Sequence, residues 1–371
     1  MTLESQEPLE DVKSEIGQRR NSRGRWFRWE PLYQRETDAS SESKSGSKYH
    51  LKLFIRLAVV ILVVIWIAKT LRDAGDQFSV TQFSVSDLDF VCIMLAALSY
   101  LIGLVCFGLF WHLALLAMGQ SPTIFESLGS YVLSHLGKYV PGKALVVIIR
   151  SDRVSSSRVK RSVAVVGVFV ETLGMMAVGG ILASLFLLSG YGTAHESGWL
   201  TLLAVGLAVV SGVGASPPMF RFVLRYLSKR RGLTMLDEAI DGLSWQFLAK
   251  GWLLAAVGWL FFGASMIFVL RAFPLTESGP ILDIWDYPQV IAAVSLSMVA
   301  GFLSLLPGGA GVREMVISTL LTPMIGPVFA VISAISLRVV WLLCELGAAG
   351  GFLLHSGKAK PSHNEPTNSG V

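Results

Sequence analysis

Charged residues are scarce in this chain. Asp, Glu, Lys and Arg together make up 15% of its 371 residues, whereas 53% of the residues are hydrophobic. The mean hydropathy is +0.59. A soluble protein of this length needs more polar surface than such a composition supplies. The composition therefore excludes a water-soluble protein and predicts an integral membrane protein.

Cysteine and histidine are also sparse. The three cysteines, Cys92, Cys106 and Cys344, lie inside apolar segments without a CxxC spacing, which argues against a disulfide framework and against a zinc site. The six histidines are scattered and form no HExxH or similar pair. We therefore expect no metal ion and no cofactor, and we assign no catalytic residue.

The few charges are unevenly distributed. Residues 1–52 hold 10 of the 31 Lys and Arg residues and 9 of the 26 Asp and Glu residues. Residues 1–50 are therefore predicted to be a disordered cytoplasmic tail, residues 51–356 the membrane domain, and residues 357–371 a short cytoplasmic tail. The net charge of +5 comes from cations beside apolar runs, where they orient helices, so nucleic acid is not an expected partner.

Long apolar runs predict the membrane spans. A helix that crosses a bilayer needs about 20 apolar residues. Six segments meet this length or nearly do: 53–69, 88–118, 162–189, 199–215, 251–273 and 328–355. The polar connection 216–250 carries Leu236, Ile240, Leu243 and Phe247 at helical spacing, which predicts one amphipathic helix on the membrane surface.

Two further apolar stretches contain Pro-Gly interruptions. Residues 123–150 are interrupted between Gly137 and Lys143, and residues 288–325 between Pro307 and Glu314. Each stretch is typical of two short helices joined at a break, the form of a re-entrant hairpin. We predict an all-α polytopic membrane protein with about six full spans and two re-entrant helical hairpins; a count of eight or more crossings stays open.

The distribution of Lys and Arg among the connections predicts the orientation. Connections rich in Lys and Arg alternate along the chain with connections that carry mainly acidic residues. Because basic connections tend to lie in the cytoplasm, this alternation predicts that both termini are cytoplasmic. The first hairpin then enters from the cytoplasm and the second from outside. Because Pro141 and Pro307 are 166 residues apart with a long span before and after each, the two halves are predicted to be inverted-topology repeats.

The glycine-rich breaks are candidate anion sites. Each opens a short helix whose first N–H groups have no partner within the helix, and such a terminus attracts phosphate. Lys143 and Arg150 add positive charge near the first break. The alternative, which we weigh equally from the residues alone, is a Pro-Gly kink needed only for helix packing.

Charges inside the spans are the other informative residues. Glu171 and Arg338 lie at about the same depth, roughly 14 to 15 Å into their helices, and they follow Pro141 and Pro307 by 30 and 31 residues. The sequence predicts that they pair with each other near the bilayer midplane. Glu345 and Glu314 complete the group of intramembrane charges. A static structural pair and a role in gating or headgroup binding both remain open.

These segments resemble a known family, the transmembrane region of lysylphosphatidylglycerol synthase, also called the flippase-like or multiple peptide resistance factor membrane region. The resemblance covers roughly residues 53–355 and is carried by residues 137–143, Glu171, residues 307–314 and Arg338. It implies a polytopic bundle that handles lipids. The predicted headgroup-binding residues are Lys138, Pro141, Gly142, Lys143, Arg150, Pro307, Gly308, Gly309, Gly311 and Arg313.

The implied function is a lipid transporter or flippase in the cell (inner) membrane. Its substrate would be an anionic or modified phospholipid, or a polyprenyl-linked lipid. The alternative is a non-catalytic membrane partner that presents lipid to a separate transferase. We do not expect an enzyme, because no polar segment is long enough to be a synthase domain; an intramembrane transferase would have only Glu171 or Glu314 as its acid or base.

Overall fold

The computed structural model describes residues 88–139, 144–156, 158–188, 216–231, 237–273, 284–304 and 306–358, with a few isolated positions between 206 and 214. The two predicted tails, the first predicted span and most of the fourth lie outside the described residues. So does the apex of the first hairpin, residues 140–143, which includes three of the predicted headgroup ligands, Pro141, Gly142 and Lys143.

The described elements are helices, apart from one isolated bridge between Ser156 and Val159. In chain order they are α1 Phe90–Ala117, α2 Ile124–His135, α3 Ala144–Val154, α4 Arg161–Leu188, α5 Pro217–Arg231, α6 Asp237–Asp241, α7 Trp245–Ala272, α8 Tyr287–Leu303, α9 Val312–Ile325 and α10 Pro327–Lys358. Short 3-10 segments cover Leu136–Tyr139, Ile284–Asp286 and Pro307–Gly309. The all-α prediction is confirmed.

Four of the described helices are long and apolar enough to cross a membrane. They are α1, α4, α7 and α10, whose candidate spans each contain 26 to 28 residues. At about 1.5 Å per residue such helices exceed the hydrocarbon thickness of about 30 Å. They coincide with four of the six predicted spans; the first predicted span and most of the fourth lie outside the described residues.

The two interrupted stretches fold as pairs of short helices. In the first hairpin, α2 packs against α3; in the second hairpin, α8 packs against α9. The helices α2, α3 and α9 contain 12, 11 and 14 residues, or about 16 to 21 Å, and are too short to cross a bilayer. Helix α8 has 17 residues, or about 25 Å. The described helices of both interrupted stretches are therefore shorter than a full span.

Local signals fix where these helices begin. Thr123 and Glu126 form a capping box at the start of α2, with Glu126 N donating to Thr123 Oγ1 at 3.2 Å and Thr123 N donating to Glu126 Oε2 at 2.8 Å. Ser244 caps α7 by accepting from Phe247 N at 3.2 Å. A glycine with positive φ, Gly326 at 78°, ends α9 just before Pro327 opens α10.

The predicted amphipathic surface helix over 216–250 is wrong. The described residues of this connection form α5, the five-residue α6 and the start of α7, with the cap at Ser244 between the last two. Ile240, Leu243 and Phe247 are 1%, 2% and 8% exposed and belong to the core. The spacing of these residues reflects their burial against the bundle. It does not mark a single helix, because Ser244, between Leu243 and Phe247, is the N-cap of a new helix.

The helix contacts of the two halves of the chain correspond to each other. Exchanging α1 with α7, α2 with α8, α3 with α9 and α4 with α10 converts each packing contact into another observed contact. For example, α4 packs on α8 as α10 packs on α2, and α3 on α4 as α9 on α10. The most extensive interface, between α1 and α7, maps onto itself. Two repeats of four helices give such a correspondence, and the inverted orientation of the repeats stays a prediction.

Aromatic side chains fill the interface between α1 and α7. Tyr100 of α1 stacks on Phe262 of α7 and on Trp341 of α10, with ring centroids 5.1 and 4.6 Å apart. Gly103 lies against Phe262 and Gly258 against Phe107, and a Cβ at Gly103 would be 2.6 Å from Phe262 Cδ1. Small residues therefore let α1 and α7 approach closely, as is common between membrane helices.

Candidate functional site

The breaks of the two hairpins meet inside the bundle. The segment Leu136–Tyr139 of the first hairpin contacts Pro307–Gly309 of the second. In the second break the backbone turns through Gly308, Gly309 and Gly311, whose φ values are 58°, 66° and 83°. Residues with a Cβ rarely adopt such values, which explains the glycines at this point of the sequence. The charged residues of both repeats gather around this meeting point.

A buried ion pair joins the first hairpin to the span that follows it. Arg150 Nη1 of α3 donates to Glu171 Oε2 of α4 at 2.8 Å, and the two side chains are 3% and 1% exposed. Tyr131 donates its hydroxyl to Glu171 Oε1 at 3.1 Å, and Arg150 Nε donates to Ser134 Oγ at 2.9 Å. The Arg150 guanidinium lies 4.1 Å from the Tyr131 ring centroid. These contacts offset the desolvation of both ions.

The second hairpin has an equivalent pair with the charges exchanged. Glu314 of α9 accepts from Arg338 Nη1 of α10, and Arg338 Nη2 also donates to the Gly308 carbonyl at 3.3 Å. Here the side chains are 28% exposed for Arg338 and 10% for Glu314. In the first repeat the hairpin carries the cation; in the second it carries the carboxylate.

A third ion pair crosses between the repeats. Lys138, at the break of the first hairpin, donates to Glu345 of α10, whose side chain is fully buried. The hydroxyl of Tyr100 on α1 donates to the same carboxylate oxygen of Glu345. Because Lys138 lies in the first hairpin and Glu345 in α10, this pair connects the first break to the last helix of the second repeat.

The predicted pairing of Glu171 with Arg338 is wrong. Each bonds instead to the hairpin of its own repeat, Glu171 to Arg150 and Arg338 to Glu314. Equal depth specifies only one coordinate of a side chain, and the packing of α3 on α4 and of α9 on α10 provides nearer partners. A signal was present in the sequence, since Arg150 and Glu314 follow Pro141 and Pro307 by nine and seven residues.

The predicted anion site at the start of α9 is already occupied by the chain itself. The N-cap residue Gly311 donates its backbone N–H to Glu314 Oε2 at 2.6 Å. A carboxylate in the first turn that folds back in this way supplies the negative charge that a helix N-terminus favours. A lipid phosphate would therefore compete with Glu314 for this terminus.

A cavity of about 390 Å³ opens beside the meeting point of the breaks. Its polar wall carries Lys138, Arg150, Arg313, Glu171 and His135. Its apolar lining comes from α3, α4 and α8, with Val147, Val168, Met175, Met298 and Phe302 among the residues. A lining that combines three cations with apolar side chains suits a molecule that has an anionic group attached to a hydrocarbon chain.

The structure brings most of the described candidate residues to this cavity. Lys138, Arg150, Gly308 and Arg313 line it, and Gly309 packs behind Arg313. Pro307 begins the 3-10 segment of the second break, and Gly311 caps α9. Within the described part of the chain, no group of three or more His, Cys, Asp or Glu side chains is placed to hold a metal ion.

Some residues of the site were not singled out from the sequence. Tyr131 and Tyr100 each donate a hydrogen bond to a buried carboxylate, Glu171 and Glu345 respectively. In the sequence they resemble ordinary aromatic residues of a core. Only the hydrogen bond from each hydroxyl group to a buried carboxylate distinguishes them. His135, which also lines the cavity, lies over Tyr131 with its ring centroid 4.8 Å away.

Outside the spans, the capping box of α2 perturbs one carboxyl group. The hydrogen bond from the Thr123 backbone N–H lowers the pKa of Glu126 below its usual value, and the guanidinium of Arg158 lowers it further. Arg158 Nη2 donates to Glu126 Oε1 at 2.7 Å, and both side chains are well exposed. This pair ties the start of the first hairpin to the loop between α3 and α4.

Comparison with known protein families identifies the family of the chain. The family model described as the lysylphosphatidylglycerol synthase TM region matches residues 53–344. The chain belongs to this family. It is thus a multi-pass membrane protein of a lipid-related family. The matched region includes both hairpins and the residues of the three ion pairs, apart from Glu345, which lies one residue beyond its end. No curated protein sequence matches the chain significantly.

Proposed function

We propose that this protein moves an anionic or modified phospholipid, or a polyprenyl-linked lipid, between the leaflets of the cell (inner) membrane, with both termini in the cytoplasm. The observation that carries the proposal is the cavity at the hairpin breaks. It combines Lys138, Arg150 and Arg313 with apolar walls from three helices. Such a cavity can hold a headgroup away from water while the hydrocarbon chain stays in an apolar environment.

The correspondence between the helix contacts of the two halves supports a transport mechanism. Related halves of a transporter commonly rock against each other around a site near the midplane, and here the site lies where the two breaks meet. In this proposal the protein is not an enzyme, and any chemical modification of the lipid is made by a separate transferase. Membrane lipids are the proposed partners.

Reconstitution into liposomes tests the proposal. The purified chain is placed in vesicles carrying a fluorescent phosphatidylglycerol in one leaflet, and the rate of its appearance in the other leaflet is measured. We expect this rate to exceed that of protein-free vesicles. Met176→Trp should slow the movement, because Met176 lines the cavity. Leu173→Trp on the same helix is the matched control, since Leu173 is 45% exposed and does not line the cavity.

Equal rates with and without the protein would contradict transport. Tight lipid binding without movement would favour the alternative, in which the protein presents lipid to a separate transferase. Equal slowing by Met176→Trp and Leu173→Trp would show that the cavity is not the route.

A further inference from the structure

The carboxylates around the cavity are all engaged by cations of the chain. Within the described residues, Glu171 bonds to Arg150, Glu314 to Arg338 and Glu345 to Lys138. Each also accepts a second hydrogen bond, from Tyr131, from the Gly311 backbone and from Tyr100 respectively. A positively charged group that entered the cavity would therefore meet carboxylates that are each already paired with a cation of the chain.

Arg313 differs from the other three cations. It lines the cavity and has no carboxylate partner among the described residues, and its buried Nε has no hydrogen-bond partner there. Glycines hold its side chain in place: a Cβ at Gly301 would be 2.6 Å from Arg313 Cγ, and one at Gly309 would be 2.8 Å from Arg313 Nε. An arginine fixed in this way presents to the cavity a positive charge that forms no ion pair within the described residues.

The charges of the described cluster therefore leave an excess of one. Four cations, Lys138, Arg150, Arg313 and Arg338, face three carboxylates, with His135 counted as neutral. A phosphodiester carries a single negative charge and offers two oxygens to a guanidinium, which binds such groups in a bidentate way. One bound phosphodiester would neutralise the cluster and would supply the missing partner of Arg313.

We propose that Arg313 binds the phosphodiester of a lipid with a net negative headgroup, and that the cavity discriminates against a lipid whose headgroup carries an added ammonium. This inference rests on the proposed function and narrows its substrate class. An aminoacyl ester such as a lysyl group adds positive charge, and the cavity gives it no unengaged carboxylate. The ring of Tyr131, which could hold an ammonium, is covered by Arg150 at 4.1 Å. Discrimination of this kind works by repulsion as well as by attraction.

The apolar walls make a lipid the source of this phosphodiester. Val147, Val168, Met175, Met298 and Phe302 line the cavity. A free, water-soluble phosphodiester would leave these walls without a partner. A lipid would place its first methylene groups against these walls, which keeps both apolar surfaces out of water.

The test compares two lipids that differ in a single group. The purified full-length chain, in detergent, is titrated with phosphatidylglycerol and with its lysyl ester, both with the same acyl chains, in competition with a fluorescent phosphatidylglycerol. We expect phosphatidylglycerol to bind about tenfold or more tightly than the lysyl ester, as loss of one charged interaction implies. Water-soluble glycerophosphoglycerol should compete much more weakly than either lipid.

Variants assign the effect to the residue. Arg313→Met should weaken phosphatidylglycerol binding by about tenfold and reduce the difference between the two lipids. Arg313→Lys, which keeps the charge, should retain part of the preference. Arg271→Met is the matched control, because Arg271 is exposed at the end of α7 and away from the cavity. Thermal unfolding and gel filtration confirm that each variant is folded.

Distinct outcomes separate this inference from the proposed function. Equal or tighter binding of the lysyl ester by the unsubstituted chain overturns the inference, whatever the variants do, and leaves a lipid-binding function in place. Unchanged phosphatidylglycerol binding in folded Arg313→Met overturns the role of Arg313. Equal competition by glycerophosphoglycerol overturns a lipid source. Failure of both lipids to bind the unsubstituted chain contradicts the proposed function itself.

Discussion

The two hairpins follow one plan with opposite charges and different exposure. In the first, the cation Arg150 lies on the hairpin and the carboxylate Glu171 on the following span; in the second, the carboxylate Glu314 lies on the hairpin and the cation Arg338 on the span. The first pair is nearly sealed from solvent, whereas Arg338 remains 28% exposed. The repeats thus conserve the position of an ion pair while its polarity and environment differ.

This difference separates a rigid hairpin from a more adaptable one. Arg150 and Glu171 are surrounded by Ser134, Tyr131 and Thr172, so moving them apart would leave buried charges unpaired. The second break has three glycines with positive φ, and its pair borders Arg313, which has no carboxylate partner in the described chain. We infer that the first hairpin anchors the bundle and the second responds to the ligand. The predictions below test this contrast.

The largest effect is expected at the sealed pair. Arg150→Met removes the main partner of Glu171 and leaves a carboxylate that is 1% exposed, at a cost of about 3–5 kcal/mol. The thermal midpoint in detergent should fall strongly. Arg150→Met combined with Glu171→Leu should recover much of the loss, because no buried charge is left unpaired. If Arg150→Met alone were as stable as the control Arg271→Met, the anchoring role of this pair would be contradicted.

A smaller loss is expected at the exposed pair. Arg338→Met should cost about 1–3 kcal/mol, because Glu314 keeps its hydrogen bond from the Gly311 N–H. A double-mutant cycle with Glu314→Gln should give a clear coupling energy in thermal unfolding. The corresponding cycle between Glu171→Gln and Arg338→Met should give a coupling near zero. Strong coupling in that second cycle would contradict the assignment of each pair to its own repeat.

The glycines of the second break permit a test of crowding alone. Gly309→Ala places a Cβ 2.8 Å from Arg313 Nε, and φ is 66°. Gly326→Ala is the control, because φ there is 78° but no atom lies within 4 Å of the added Cβ. Both should lose about 1–3 kcal/mol of stability, because φ is positive at both positions and ψ is 160° at Gly326, a backbone conformation that favours glycine. Only Gly309→Ala should also weaken phosphatidylglycerol binding; equal binding by the two variants would argue against the position assigned to Arg313.

The smallest effect is expected at the start of the first hairpin. Glu126→Gln should cost about 1 kcal/mol or less, because its partner Arg158 is exposed and the pair is screened by salt. Since folding lowers the pKa of Glu126, its contribution is complete above the unfolded pKa and disappears as the pH falls through the folded pKa. Thermal midpoints of the two proteins should therefore converge at low pH. A difference that persists there would show that the carboxylate charge is not the cause.

Hydropathy alone was sufficient to locate the described spans and both hairpins. The apolar runs 88–118, 162–189, 251–273 and 328–355 match α1, α4, α7 and α10 within a few residues, apart from the N-terminal extension of α7 to Trp245. Bilayer thickness demands these lengths whatever the neighbouring helices are. The Pro-Gly breaks likewise mark the hairpins, because proline and glycine interrupt a helix locally.

The composition of the site was also visible in the sequence. Lys138, Arg150, Gly308 and Arg313 were candidates from their places beside the breaks, and they line the cavity. Charges inside an apolar stretch are costly enough to stand out without any structure.

Which charges pair was decided only by the tertiary structure. Glu171 and Arg338 share a depth and have opposite charges, yet each bonds to a residue 21 or 24 positions away in its own repeat. Sequence gives the depth of a residue along the bilayer normal, but the partner depends on how each helix is rotated and on which helix packs beside it. Side-chain packing across interfaces such as α3 with α4 sets both, and it also leaves Arg313 without a carboxylate in the described cluster. That packing is a property of the assembled bundle, because the contacts that fix it join residues far apart in the chain.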